Sequence, residues 1–461
     1  METTDGKIEG ASAPSVVTRI WASAAARDAM LVLGAQAIGT IIALVTDALL
    51  FRRLSVPERG FFSAALALQA VLLILSDLGV SLTTVRVGAE YYAKGLVQEA
   101  HVVFRRALVT RMILGFGVAG AAFLFSSALV HYPMHAGKRV ELVWAAASGI
   151  VGISMIAWSV DVAQARRRFG LYFATQVAAA VMRGWILITM ITRLTPDPES
   201  ASSATADMLT WGVAAAACLA GILSIIMQRE VLESPKLSDT AYDSVNAELS
   251  RFAGYAAATV VLAGLGGYVE LLLIQQWLGA EKTAVFDGAR KLAMLLPLIS
   301  TATTTVLLPR AAALSSVQAC EEYAAKAFRV SLPLAFATAG GLAVLSGLLV
   351  PLFWGDKYEA SIPLLRWLCL GFFFNVLFNP LSLVLYPLRR ENLLLALNAL
   401  SIALSLGLGF LLIPSFGPSG AAWSVAAVKV VIMLLCGAAV WWSLNHPGAN
   451  AFSTNTERTS S

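Results

Sequence analysis

Six basic residues, Arg111, Arg183, Arg290, Lys291, Arg366 and Lys429, stand inside long apolar runs of this 461-residue chain. At the centre of a membrane helix such a charge costs at least about 2.5 kcal/mol, so it needs a partner or a wet cavity. Arg183, in VMRGWILI, and Lys429, in VAAVKVVIM, lie deepest, too far from either end of their runs to snorkel easily. Their chemistry suits an anionic ligand, because guanidinium offers phosphate a planar fork and ammonium a point charge. A structural ion pair inside a helix bundle is the competing role for each. Arg290, Lys291 and Arg366 lie nearer the outer ends of their runs, where headgroup contact competes, and Arg111 is about two turns from the inner end of its own.

Acids are fewer. Asp47 and Glu270 occupy nearly equivalent places in two halves of the chain, and a carboxylate there could bind H+ or Na+ and couple a gradient to transport. Pairing with a nearby arginine is the alternative. Asp77, in SDLG, is expected to order a helix end, and Asp287 opens a later run. Other chemistries lack their residues. No GxxxxGK[ST] occurs, which excludes the usual nucleotide hydrolysis. His131 and His135 have a metal-pair spacing, but Pro133 between them breaks the helix that spacing needs. Four cysteines scattered through apolar runs and one loop form no disulfide framework. No catalytic set, metal or organic cofactor is implied, the coupling H+ or Na+ being the one ion, and nothing points to nucleic acid.

These residues must be positioned by membrane helices. The composition is 58% hydrophobic and 13% charged, against about 25% charged in soluble domains. Runs such as MLVLGAQAIGTIIALVTDALLF are continuously apolar, long enough to cross a bilayer as helices, and do not alternate as barrel strands would. The punctuation gives twelve spans: 29–51, 60–85, 104–130, 141–162, 169–192, 207–229, 252–276, 284–309, 328–353, 362–386, 390–414 and 418–443. Lys and Arg concentrate in the loops that share a side with the termini, which places both termini in the cytoplasm. Arg52, Arg53 and Arg59, in RRLSVPERGFF between the first two spans, are the main violation of that bias. Pro297, Pro309, Pro333, Pro363 and Pro380 interrupt later spans, so hinges are expected in the second half.

An internal repeat is visible. LSVPERGFFSA (54–64) aligns with LGAEKTAVFDG (278–288), and RRRFG before the fifth span with LRREN before the eleventh, both displaced by roughly 220 residues. The expected fold is therefore an all-α polytopic membrane protein of about twelve helices in two pseudo-symmetric six-helix bundles. Its parts are a cytoplasmic tail (1–28), a first bundle (29–230), a cytoplasmic linker (231–251), a second bundle (252–445) and a disordered tail (446–461).

The order of several stretches resembles the oligosaccharide (Wzx-type) flippases of the multidrug/oligosaccharidyl-lipid/polysaccharide exporter superfamily. They are RRLSVPERGFFSAALAL, LSDLGVSLTTVRVGAEYYAKG, FDGARKLAMLLPLISTATTTVLLPRAAALSS, LLVPLFWGDKYEASIPLLRWLCLG and PLRRENLLLALNALSIALSLGLGFLLIPSFGPSGAAWSVAAV. The resemblance implies a central cavity that opens alternately to the two sides of a bacterial inner membrane. It implies lipid-linked oligosaccharide as cargo, membrane lipids as surroundings, and a polysaccharide polymerase and other export proteins as partners. A multidrug antiporter of the same superfamily is the alternative, as is, more remotely, a membrane glycosyltransferase or ligase. The antiporter calls for a net acidic cavity, and basic residues outnumber acids within these spans.

Overall fold

In a computed structural model, residues 24–194, 205–233, 267–300, 316–388 and 390–446 are described, with single positions at 254, 257, 260, 261, 264, 265, 307, 311 and 314. Most of both expected tails and of the expected linker, and parts of the seventh and eighth spans, lie outside the described residues; residues 24–28 of the first expected tail belong to the first helix. Among those described, nine helices are long and apolar enough to cross a membrane.

The first bundle comprises α1 (Ala24–Arg53), α2 (Val56–Asp77), α3 (Val80–Ala93), α4 (Val97–Leu124), α5 (Val140–Ala165), α6 (Phe169–Leu194) and α7 (Thr205–Met227). The second comprises α8 (Val269–Ala293), α9 (Val317–Ala335), a π-helical turn (Phe336–Gly340), α10 (Gly341–Trp354), α11 (Ser361–Ser382) and α12 (Glu391–Asn445). Two of these are hairpins rather than rods. Gly279 in α8 (φ 79°) and Gly417 in α12 (φ 64°) adopt backbone angles that only glycine takes freely, and each turns the chain back on itself. The seventh and eighth expected spans thus meet at Gly279, and the eleventh and twelfth at Gly417.

Both ends of the second expected span move. The second span was to run from 60 to 85, yet the helix stops at Asp77, because Leu78 (φ 39°) and Gly79 (φ 78°) are both left-handed. A separate helix, α3, then packs on α4 and α5. At its other end α2 begins at Val56 rather than 60: proline in the first turn lacks only a donor that the helix would leave unpaired, so Pro57 starts it. Arg59 is thereby a buried first-turn residue and not part of an outside loop. In the second half, Pro333 lies three residues before a π turn that interrupts the regular helix between α9 and α10.

The hydrogen bonds sort the helix ends onto two faces. Arg52, at the end of α1, donates to the Leu352 carbonyl, and Lys357 donates to the Leu54 carbonyl at 2.6 Å. Gln275 donates to the Met134 carbonyl at 2.6 Å. These hairpins share one face, here the far face. The opposite, terminal face carries the start of α1 and both ends of α12, where Arg390 donates to the His446 carbonyl.

The repeat-related hairpins meet on the far face. A Cβ at Gly60 would lie 1.8 Å from the Ala280 carbonyl oxygen, so α2 and α8 cross there at backbone contact. Phe51 of α1 packs against Trp354 and Tyr358, with ring centroids 4.4 and 4.9 Å apart. Substituting Gly60 by Val should therefore lower the apparent Tm of the detergent-purified protein by the equivalent of about 1–3 kcal/mol, the usual cost of overpacking. Gly120→Ala, where an added Cβ meets nothing within 4 Å, should leave it nearly unchanged; equal shifts in the two variants would contradict the close crossing.

Candidate functional site

A cavity of about 560 Å3 lies between α1, α5, α6, α7 and the second arm of α8. Its lining descends from Asp47, Arg183 and Lys291 at mid-depth to Ala35, Gln176 and Ala220, nearer the terminal-face ends of their helices. Much of the wall is alanine and glycine, and these short side chains leave the space open. Beyond Arg183, a recess of about 130 Å3 continues toward the far face and shares Asp47, Arg183 and Lys291 with the cavity.

The blind end is built around Arg59, which is 0% exposed. One of its terminal nitrogens, Nη2, lies 3.0 Å from Asp47 Oδ1 and 3.2 Å from Asp287 Oδ2. Its guanidinium stacks over Phe51, 4.0 Å from the ring centroid. Asp287 accepts from the Ser63 hydroxyl at 2.8 Å and pairs with Arg290 at 3.4 Å. Asp47 turns its other oxygen to Lys291 at 2.7 Å. Two carboxylates, one from each half of the chain, are thus held by three cations across the bundle boundary.

Arg183 completes the set differently. It faces Asp47 and Arg59 electrostatically, yet makes no ion pair among the described residues and is exposed to the cavity. Among the described residues, Arg183 with Arg59, Arg290 and Lys291 makes four cations against Asp47 and Asp287, an excess of two positive charges, while Glu270, which reaches Arg290 electrostatically, is matched by Lys429.

The remaining candidates stand elsewhere. Arg290 leans away from the cavity, donating to the Gly267 carbonyl at 3.0 Å and lying over the Tyr268 ring. Arg366 donates to Ser346 Oγ at 3.1 Å in the second bundle. Lys429 lies over the Phe372 ring, 4.7 Å from its centroid, within electrostatic reach of Glu270. Glu270 is buried, lies within electrostatic reach of Arg290 as well as Lys429, and leaves Oε1 without a hydrogen-bond partner among the described residues. Lys429 and Glu270 therefore form a polar spot inside the second bundle that joins the Asp287 cluster through Arg290 and stays outside the cavity lining.

Arg111 belongs to a third cluster, near the terminal face of the first bundle. Its Nη2 lies 2.8 Å from Asp77 and 2.7 Å from Asp161, and also donates to Ser81. Asp77 accepts from the Ser81 backbone N–H, tying the break between α2 and α3 to α4 and α5. His131 ends a short helix and His135 has φ 43°, so the two share no helical face.

Sequence inspection misses Arg59 and gives Asp287 no role. The available signal was the charge-bias violation at RRLSVPERGFF: an arginine on the wrong side of the membrane count is one that has found acids instead.

The helices, the two-bundle packing and the cavity define a multi-pass α-helical membrane protein with a transporter fold. Residues 25–315 match the polysaccharide biosynthesis protein family, and the chain belongs to it. A putative O-antigen transporter of Shigella flexneri is 23% identical over 193 residues, 40% of this chain, and the match spans 44% of that relative's length. Two solved structures share the fold. One is an inward-facing MATE-family multidrug resistance transporter of the MOP superfamily, with TM-score 0.70, 14% identity, and 92% of this chain and 96% of that one covered. The other is the lipid II flippase MurJ in an inward closed conformation, with TM-score 0.69, 13% identity, and coverage of 91% and 88%.

The Arg111 cluster generates a prediction that separates structural from cavity charge. Arg111→Ala leaves two acids buried without their cation and should destabilise the protein by about 3–5 kcal/mol. Thermal unfolding should record that loss, while the affinity of the folded fraction for pyrophosphate stays unchanged; a lost affinity with unaltered stability would place Arg111 in the binding site instead.

Proposed function

We propose that the protein flips lipid-linked oligosaccharide, carried on a polyprenyl pyrophosphate, from the inner to the outer leaflet of a bacterial inner membrane for polysaccharide export. The observation that carries this is Arg183, a cation without an ion-pair partner among the described residues, which lines the cavity together with Lys291. The local excess of two positive charges matches a pyrophosphate diester, with one negative charge on each phosphate. An organic cation, the cargo of a multidrug antiporter, would meet the same excess as repulsion. Membership of a polysaccharide biosynthesis family supports the same cargo.

The cycle is alternating access. With the terminal face in the cytoplasm, as the Lys and Arg bias indicates, the cavity opens inward and the polar links between bundles close the outside. An entering pyrophosphate engages Arg183 and competes with Asp47 for Lys291. Asp47 is then held only by Arg59, which weakens one of the ties across the far face. The lipid tail stays in the bilayer, so the cavity needs to shield only the polar head.

Because Asp47 is occupied by two cations, Glu270 is the carboxylate left for a coupling H+ or Na+. A polysaccharide polymerase and other export proteins are the partners that would receive the product. No metal or organic cofactor enters this scheme.

Arg183→Ala and Lys291→Ala should leave lipid-linked oligosaccharide on the inner leaflet while folded protein still reaches the membrane. Each should also weaken pyrophosphate binding by about tenfold or more, the usual scale for one charge-assisted hydrogen bond. Normal export in both variants would refute the anionic-cargo assignment.

A further inference from the structure

Small-residue contacts fix the register of α1 against α6. A Cβ at Gly34 would lie 3.5 Å from the Phe173 ring, one at Gly39 3.8 Å from Ala180 Cβ, and one at Gly184 2.8 Å from Ile42. Residue numbers rise together along both helices, so the two run parallel and side by side. Gln36 therefore stands at the level of Gln176, and Thr40 at the level of Ala180, between the two glutamines and Arg183. Seven residues separate Gln176 from Arg183, about 10 Å along the helix axis.

Gln36, Thr40 and Gln176 all line the cavity. Each is half-buried, and none has a hydrogen-bond partner among the described residues. In an otherwise apolar stretch of wall, this leaves two amides and a hydroxyl without partners among the described residues. Each is both donor and acceptor, the combination that matches the hydroxyls of a sugar ring. Among the described residues no ionised side chain lines this level, for Asp47, Arg183 and Lys291 all lie deeper. The level thus has the chemistry of a neutral polyol site, set on the mouth side of a phosphate site.

Resting on the anionic-cargo proposal above, we infer that Gln36, Thr40 and Gln176 form a sugar subsite that reads the first, uncharged sugar attached to the pyrophosphate. The head is oriented by this division: phosphates at Arg183 and Lys291, sugar toward the terminal face. Specificity between carriers then comes from hydrogen bonds to the sugar, because a pocket built for hydroxyls leaves its own polar groups unpaired when they are missing. Affinity for every carrier comes from the phosphates.

The test uses the detergent-purified full-length protein and three probes: polyprenyl pyrophosphate, the same lipid bearing one neutral hexose, and the same lipid bearing one hexosamine with a free amine. Wild type should bind the neutral glycolipid about tenfold more tightly than either of the others. Gln36→Leu combined with Gln176→Leu, and separately Thr40→Val, should remove most of that preference and leave the affinity for bare polyprenyl pyrophosphate unchanged. These apolar replacements keep size and suit a membrane interior, so folding is preserved. Arg183→Ala should weaken all three probes alike. A wild type without preference for the neutral sugar, or variants that lose bare-lipid and glycolipid binding in equal measure, would overturn the subsite. Undiminished binding of every probe by Arg183→Ala would instead overturn the anionic-cargo proposal beneath it.

Discussion

The structure depends on one buried arginine shared by two acids from different halves of the chain. Arg59, fully removed from solvent, is held by Asp47 of α1 and Asp287 of α8. Breaking such a pair by removing one partner typically costs about 3–5 kcal/mol, whereas the intact pair contributes little net stability. Its consequence is therefore positional. The arginine specifies that α1, α2 and α8 meet at one point, and it does so only while the two bundles are together on the far face. Around it, Lys291 and Arg290 tie down the remaining carboxylate oxygens, and Ser63 shares Asp287 Oδ2 with the arginine. The backbone contact at Gly60 and the Phe51 ring against Trp354 add close packing to the charge pairing.

Placing this clasp at one end gives the molecule its asymmetry. Among the described residues, the polar links between bundles run from mid-depth to the far face: Lys291 to Asp47, Arg59 to Asp287, Lys357 to the Leu54 carbonyl and Gln275 to the Met134 carbonyl. The terminal-face clusters stay within a bundle. Arg111 joins Asp77 and Asp161, Arg166 and Arg168 share Glu230, and Arg390 reaches the end of its own α12 hairpin. Each bundle is thereby pinned as a body, while the boundary between them is held at one face and hollow toward the other. That is the mechanical requirement for rocking two rigid halves about a central site.

Much of this was legible before any coordinates. Continuous apolar runs allow only helices, and Gly279 and Gly417 mark hairpins that the punctuation already placed between spans. The weak repeat between LSVPERGFFSA and LGAEKTAVFDG proved to be two hairpins packed against each other. The site was harder to see. Arg183 and Lys291 were visible as charges inside apolar runs, but the same signal also marked Arg111, Arg366 and Lys429, which the fold places in other surroundings. Depth within a span says that a charge needs company; only packing says whether the company is an acid, a ring or a cavity. Arg59 escaped notice because its loop composition hid a helix start, and Gln36, Thr40 and Gln176 because uncharged polar residues are unremarkable until an empty wall surrounds them.

The most direct measurement of the clasp is the distance between spin labels at Tyr132 and Glu359, exposed far-face positions on the first and second bundles, in the reconstituted protein. With Arg59 intact and no ligand, a single short distance population is predicted. Arg59→Ala, or saturating polyprenyl pyrophosphate-linked sugar, should transfer part of it to a longer distance. An unchanged distribution under both conditions would mean that the buried arginine does not hold the two halves together, and the alternating-access scheme built on it would fall.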